Sequence, residues 1–244
     1  VSVVCKVGGA STGGVAAAVG GLRAAGERVC VVHGAGPQIS QEMIRRGLEV
    51  RFVDGRRVTT PAALEVVRER LAAVSAAVCA ALGEDAVPLR GDEIGLRAEP
   101  LPQLGLVGAA VPSAPPAVVE ALARGRVPVV APLARVAAGG GNPTGALSEG
   151  PDSASGAGGS VNVNADEAAA ALAVGLGAER LVFLTDVPGV FQGGRLLRSI
   201  QARRAELLVE EGVFAGGIVP KLLAAARAAR HGLAAEIGAT AVVA

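Results

Sequence analysis

Val29-Cys30-Val31-Val32-His33-Gly34-Ala35-Gly36-Pro37 is the stretch on which the fold turns. An apolar run of strand character enters a glycine turn, and Pro37 opens a segment of helical periodicity reaching residue 46. Upstream, residues 1–7 read as a strand and 15–25 as a helix, so the chain begins βαβα. Downstream, residues 50–58 carry Asp54-Gly55, the dipeptide of a tight hairpin. The pattern then predicts helices over 61–82, 116–124, 165–176 and 218–231. It predicts strands near Val87 and over 127–132, 180–184 and 239–243. Short apolar strands alternating with helices predict an α/β chain: a three-layer αβα sandwich with a mostly parallel central sheet, its ligands beyond the carboxyl ends of strands. Residues 137–160, rich in Gly, Ser and Pro and without periodicity, read as a mobile loop.

Composition removes several function classes. Hydrophobic residues make up 51% of the 244, yet no run approaches the roughly 20 apolar residues of a membrane span, so the expectation is a soluble protein. The opening residues lack a signal-peptide pattern, which places the chain in the cytoplasm. A net charge of +1 and only four aromatic side chains leave no basic, base-stacking surface for nucleic acid. Cys5, Cys30 and Cys79 lack metal-ligand spacing and sit in apolar stretches, as packing thiols do. All but two of the 23 basic side chains are Arg, and the two lysines, Lys6 and Lys221, both stand beside glycines. A compact ammonium and a planar guanidinium are not interchangeable at a site that needs one of them.

Five motifs carry possible chemistry. Lys6-Val7-Gly8-Gly9 leaves backbone N–H groups open to an anionic oxygen and adds a mobile charge; an ordinary strand-to-helix turn fits as well. His33-Gly34-Ala35-Gly36-Pro37 offers a helix N-terminus to phosphate or carboxylate. Ile39 stands where a dinucleotide fingerprint needs its third glycine, and no GxxxxGK sequence exists, which sets aside a dinucleotide-dependent oxidoreductase. His33 reads either as a general base or as a structural group closing the strand. Asn162-Val163-Asn164-Ala165-Asp166 opens a helix with both Asn on one face, as a cap or as a ligand site. Thr185-Asp186-Val187-Pro188-Gly189-Val190 is a nucleotide rim or a plain loop. Gly216-Gly217-Ile218-Val219-Pro220-Lys221 sets a cation one turn inside a helix, at the end its dipole disfavours, and a bound anion would resolve that conflict.

Together with Gly55-Arg56-Arg57-Val58-Thr59 and Leu104-Gly105-Leu106-Val107-Gly108, these motifs resemble the amino-acid kinase family over nearly the whole chain. Within it they look like the subfamily acting on N-acetyl-L-glutamate. The resemblance implies transfer of the ATP γ-phosphoryl group, with Mg2+, to the side-chain carboxylate of that acceptor in arginine biosynthesis. It implies that Lys6 and Lys221 stabilise the transition state while Asp166 positions them, and that Gly8, Gly9 and Gly34 donate backbone N–H groups to phosphoryl oxygens. Ala35, Gly36, Arg57, Asn162 and Asn164 would surround the acylated amino acid, Arg57 holding its α-carboxylate. Thr185, Asp186, Val187, Pro188, Gly189, Val190 and Phe191 would line the nucleotide, with Val213, Phe214, Ala215 and Gly217. The chain would be a single domain with an acceptor lobe (1–175) and a nucleotide lobe (176–244), working as a cytoplasmic homodimer. Elementary chemistry agrees: a carboxylate of pKa about 4.3 is ionised at neutral pH, so the reaction needs no general base and His33 loses its catalytic role.

Three departures from the family pattern set further expectations. Ala35 stands where many relatives have glycine, and 137–160 is longer than the usual connection. After His231 the chain reaches its closing strand without the strand and helix that relatives place there, nor does it show their extra N-terminal helix. This predicts no arginine feedback and a dimer rather than a hexamer. Two other readings stay open: a sibling kinase for another acylated amino acid, such as a carrier-bound aminoadipate, and a non-catalytic regulator that binds ligand.

Overall fold

The computed structural model describes residues 2–8, 14–136, 159–185 and 187–244. Its spine is the parallel pair β1 (Ser2–Val7) and β2 (Arg28–His33), joined through α1 (Val15–Ala24) and followed by α2 (Gly36–Arg45). Next, β3 (Phe52–Val53) and β4 (Arg56–Arg57) form the expected hairpin, with Asp54 at φ 48° and Gly55 at φ 74°, the two positive angles such a turn requires. The long helix α3 (Pro61–Leu82) starts on Thr60, whose hydroxyl accepts from the Ala63 N–H at 3.2 Å, with Pro61 pre-set at its first position. After it come β5 (Ala86–Arg90), α4 (Gly91–Ile94), β6 (Arg97–Pro100), β7 (Val107–Ala110), α5 (Pro116–Ala123), β8 (Val127–Ala131) and β9 (Leu133–Val136). The chain resumes with β10 (Ser160–Val163), α6 (Ala165–Gly175) and β11 (Arg180–Leu184). A second hairpin follows, β12 (Phe191–Gln192) and β13 (Arg195–Leu196), and then β14 (Ser199–Gln201) and α7 (Ala202–Glu210). Last come α8 (Ile218–Arg230), β15 (Ala234–Ile237) and β16 (Thr240–Val243).

Eight strands form one sheet in the order β14-β16-β15-β11-β1-β2-β8-β5, all parallel from β15 to β5, with β16 and β14 reversed. Strands of the N-terminal part thus fill one half of the sheet and those beyond residue 180 the other. Alternation along β1 and β2 divides the core. Val3, Cys5, Val7, Val29 and Val31 face α1, α2 and α3, whereas Val4, Cys30 and Val32 face α5, α6, α7 and α8. The expected three layers are therefore present. The Ala-rich faces of α6 and α8, such as Ala168 to Ala173, are fully buried, since small side chains let helix and sheet approach closely.

Four strands the sequence did not reveal, β6, β7, β9 and β10, close into a small barrel beside the sheet. The strand expected to end at Pro132 is two strands, with Pro132 turning the corner between β8 and β9. Of the expected loop 137–160, residues 137–158 lie outside the described residues, and Ser160 belongs to β10. A second correction concerns the end of the fold. The strand thought missing after His231 is present as β15, antiparallel to β16. Its sequence, Ala-Ala-Glu-Ile, has too few branched residues to read as a strand, and its burial against α8 makes it one. Among the described residues no helix is long and apolar enough to cross a membrane. Cys5 and Cys30 are buried and Cys79 is partly so, and burial pushes the Cys5 thiol up to about 12.

Candidate active site

The carboxyl ends of β1, β2, β8 and β11 deliver Gly8, Gly34, Pro132 and Thr185 to one edge of the sheet, where a cleft of about 460 Å³ opens. A second cavity of about 450 Å³ adjoins it on the β12 side. Thr185, Gly217 and Lys221 line both. Two of the helices that begin at the first cleft, α2 and α8, have no side chain capping their N-termini, so their free N–H groups and positive dipole ends face the space where an anion would sit.

At the junction of the cavities the two lysines converge on one carboxylate. Lys6 Nζ lies 2.9 Å from Asp166 Oδ1, both side chains 8% exposed, and Lys221 Nζ lies 3.8 Å from Asp166 Oδ2. Each partner is placed by local structure. Lys6 alternates onto the α6 side of β1. Asp166 sits in the first turn of α6, where its charge suits the dipole, and Asn164 caps that helix by accepting from the Asp166 N–H at 2.8 Å and the Glu167 N–H at 3.2 Å. Lys221 donates to the Gly217 carbonyl at 3.2 Å, which folds the side chain back over the start of α8.

Away from the lysines, Arg57 is buried without a carboxylate within ion-pair distance among the described residues. One Nη donates to the Gly36 carbonyl at 3.0 Å and to Ser40 Oγ at 2.8 Å, the other to Met43 Sδ at 3.4 Å. Burial lowers its pKa to about 10, which still leaves it charged at neutral pH. A buried cation at a cleft wall that no carboxylate of the described residues offsets has the chemistry to pair with an incoming carboxylate. Asn162 donates to Thr59 Oγ1 at 3.1 Å, and that hydroxyl donates to the Arg57 carbonyl at 2.8 Å, tying the barrel strand β10 to the hairpin.

The structure brings Lys6, Gly8, Gly34, Ala35, Gly36, Arg57, Asn162, Asn164, Asp166 and Lys221 to the first cleft. Val187, Pro188, Gly189, Phe191 and Phe214 line the second, with Thr185 and Gly217 shared. Gly9 and Asp186 lie outside the described residues. Three residues expected on the nucleotide side line neither cavity. Val190 is a core residue whose N–H donates to Thr240 Oγ1 at 2.9 Å, while Val213 and Ala215 are exposed on either side of Phe214. Gly34 is corrected in role: its N–H is taken up by the Val7 carbonyl at 3.0 Å. A Cβ there would meet Ala165 Cβ at 3.5 Å and Lys6 Nζ at 4.0 Å, ordinary contact distances, so space alone does not require glycine at this position. Asn164 Oδ1 is occupied as a cap and its Nδ2 donates to the Gly55 carbonyl at 3.1 Å. His33, paired with Val7, projects to the sheet face opposite Lys6 and does not line the cleft. Sequence reading assigned no site role to Phe52, Arg56 and Pro220, which line the first cleft, or to Thr59, which accepts from Asn162 behind it. The arginine pair that follows the hairpin tip was the available signal for Arg56, and the Gly216 to Lys221 motif that for Pro220.

Two cavities that meet at a pair of lysines on one carboxylate, at the strand ends of a parallel sheet, define a transferase that passes an anionic group between two bound molecules. The model of the amino acid kinase family matches residues 2–238, and the chain belongs to that family. It is 40% identical over 242 residues to an acetylglutamate kinase of Rubrobacter xylanophilus, covering 97% of this chain and 88% of that one. Identity is 35% over 229 residues to an acetylglutamate kinase of Chloroflexus aurantiacus, covering 90% and 82%. Among solved structures, that of smu.665 from Streptococcus mutans UA159 shares the fold, with a TM-score of 0.83 at 24% identity over 99% of this chain and 98% of that one.

Proposed function

We propose that this protein transfers the γ-phosphoryl group of ATP to the side-chain carboxylate of N-acetyl-L-glutamate, forming N-acetyl-L-glutamyl 5-phosphate and ADP, an early step of arginine biosynthesis. The observation that carries the reading is the convergence of Lys6 and Lys221 on Asp166 where the two cavities meet. The acceptor cleft holds the carboxylate on one side of that point, and the second cavity holds the nucleotide on the other, with Phe191 and Phe214 against its apolar part. A carboxylate oxygen attacks the γ-phosphorus as the bond to the β–γ bridging oxygen breaks, and no proton moves. Such a step needs alignment and charge stabilisation rather than a base. Lys6, Lys221 and the helix N-termini of α2 and α8 supply the charge, and Asp166 holds both ammonium groups in place between turnovers.

At the far end of the cleft Arg57 receives the α-carboxylate and Asn162 the acetamido group, which selects an acylated amino acid over a free one. In this reading residues 1–175 serve the acceptor and 176–244 the nucleotide. Mg2+ would arrive with ATP and supply charge neutralisation to the nucleotide's phosphates. The working form is a cytoplasmic homodimer, which light scattering checks directly.

The test is ATP turnover read by trapping the acyl phosphate as a hydroxamate, with N-acetylglutamate, glutamate, aspartate and N-acetylaminoadipate as acceptors. N-acetylglutamate is expected to lead the others by at least tenfold in kcat/KM. Preference for the aminoadipate derivative would reassign the substrate, and no turnover with any of the four would defeat the kinase reading.

A further inference from the structure

Only four aromatic side chains occur in the chain, and all are Phe. Phe183 is in the core, Phe191 and Phe214 line the second cavity, and Phe52 lines the acceptor cleft. Phe52 is unlike a core residue. It is 51% exposed, on a two-residue strand, so burial gives it little reason to be aromatic. Its ring centroid lies 4.6 Å from Cζ of Arg57, a guanidinium that is itself only 5% exposed. The edge of that guanidinium is held by Gly36, Ser40 and Met43, and the phenyl ring covers its face. Leucine at this position would shield some of the same area but would lack the ring quadrupole that attracts a cation.

We propose that Phe52 is a positioning residue for acceptor recognition. Its ring sets the plane of the Arg57 guanidinium and keeps water from one face of it, so the cation meets the acceptor's α-carboxylate already oriented and partly dehydrated. The inference rests on the reading of Arg57 as the α-carboxylate receptor and names what makes that receptor selective. In this reading Phe52 acts through Arg57, at the α-carboxylate rather than the reacting carboxylate, so it acts on binding of the acceptor and leaves the phosphoryl step alone.

The experiment compares wild type with Phe52→Leu and Phe52→Tyr, each first checked for an unchanged melting temperature. Phe52→Leu is expected to raise KM for N-acetylglutamate about tenfold, within the span a partly desolvated cation–π contact covers, with kcat and KM for ATP within twofold. Phe52→Tyr, which keeps the ring, stays within twofold of wild type throughout. N-acetyl-γ-aminobutyrate keeps the amide and the reacting carboxylate but lacks the α-carboxylate. Its inhibition constant against N-acetylglutamate is expected to be the same for wild type and Phe52→Leu. A leucine variant within twofold of wild type, a fall in kcat with KM unchanged, or an equal penalty on both ligands would each overturn the proposal while leaving the kinase reading intact. A wild-type protein that neither binds nor phosphorylates N-acetylglutamate overturns both.

Discussion

Lys221 occupies a position that helix electrostatics disfavours, one turn inside α8 at the positive end of its dipole. Asp166, 3.8 Å away, offsets part of that conflict, and a transferring phosphoryl group would offset the rest. In the proposed reaction the requirement would be for a compact charge on a flexible stem that can follow the group as it moves, which a planar guanidinium does not provide. Lys221→Arg is accordingly expected to lower kcat by about 10² or more, the scale of losing one oriented charge donor, with little change in thermal stability. A variant within threefold of wild type in the hydroxamate assay would refute the role. At this scale much of the site was legible. Two lysines in an Arg-rich chain, each beside glycines, marked themselves by composition. Arg57 emerged only through resemblance, because an arginine among 20 others carries no local signal. That it is buried and unpaired is a property of its neighbours.

Among the elements, the β3–β4 hairpin joins the first cleft to α6 and α8. Its tip donates nothing to catalysis, yet it touches both α6, through Asn164 Nδ2 to the Gly55 carbonyl and the Arg56 to Glu167 ion pair at 2.9 Å, and the first turn of α8 at Pro220. A Cβ on Gly55 would lie 2.7 Å from Pro220 Cγ, and the backbone there is at φ 74°. The proline ring cannot swing away, so the hairpin must lift from α8, taking Arg57 with it. Gly55→Ala is expected to reduce kcat/KM for N-acetylglutamate about tenfold or more and to cost roughly 1–2 kcal/mol of stability, from the left-handed backbone and the clash together. Steady-state kinetics at saturating ATP, with a urea titration alongside, checks both. Asp54-Gly55 was readable because a two-residue turn has its own chemistry. Gly193-Gly194 offered the same signal for the second hairpin. The barrel strands did not announce themselves, because four-residue segments such as Val-Gly-Ala-Ala have neither length nor alternation. Helix α7 could have been found from Ala202, Ala205 and Leu208, the buried positions that recur every three residues.

Across the whole molecule the sheet buries one histidine, and it takes no part in the site. His33 ends β2 in the layer facing α2 and α3 and is inaccessible to solvent. Desolvation lowers its pKa to about 4, the Gly34 backbone opposing only in part. Folded His33 therefore refuses a proton that the unfolded chain accepts near pH 6.5. The stability it contributes is complete above about pH 6.5 and is lost as the pH falls toward 4, amounting to about 2 kcal/mol between pH 7 and 5. Urea midpoints at the two pH values should show this loss in wild type and a flatter dependence in His33→Leu. An identical slope in both would show that His33 is not the group responsible.

The linear order of residues by itself determined the alternation of strands and helices, the glycine turns at strand ends and the two lysines that stand out by rarity. All of these follow from spacing, turn chemistry and counts within a few neighbouring residues. It did not contain the barrel, the strand β15, the hydrogen bond from Asn164 to the Gly55 carbonyl, or the separation of His33 from Lys6 onto opposite faces. Nor could it say that residues 6, 166 and 221 meet or that 57 lines the same cleft, since pairings across tens to hundreds of residues exist only once a common core has been buried. The tertiary structure decided those, because burial and strand pairing are satisfied jointly, by partners that no local stretch of chain contains.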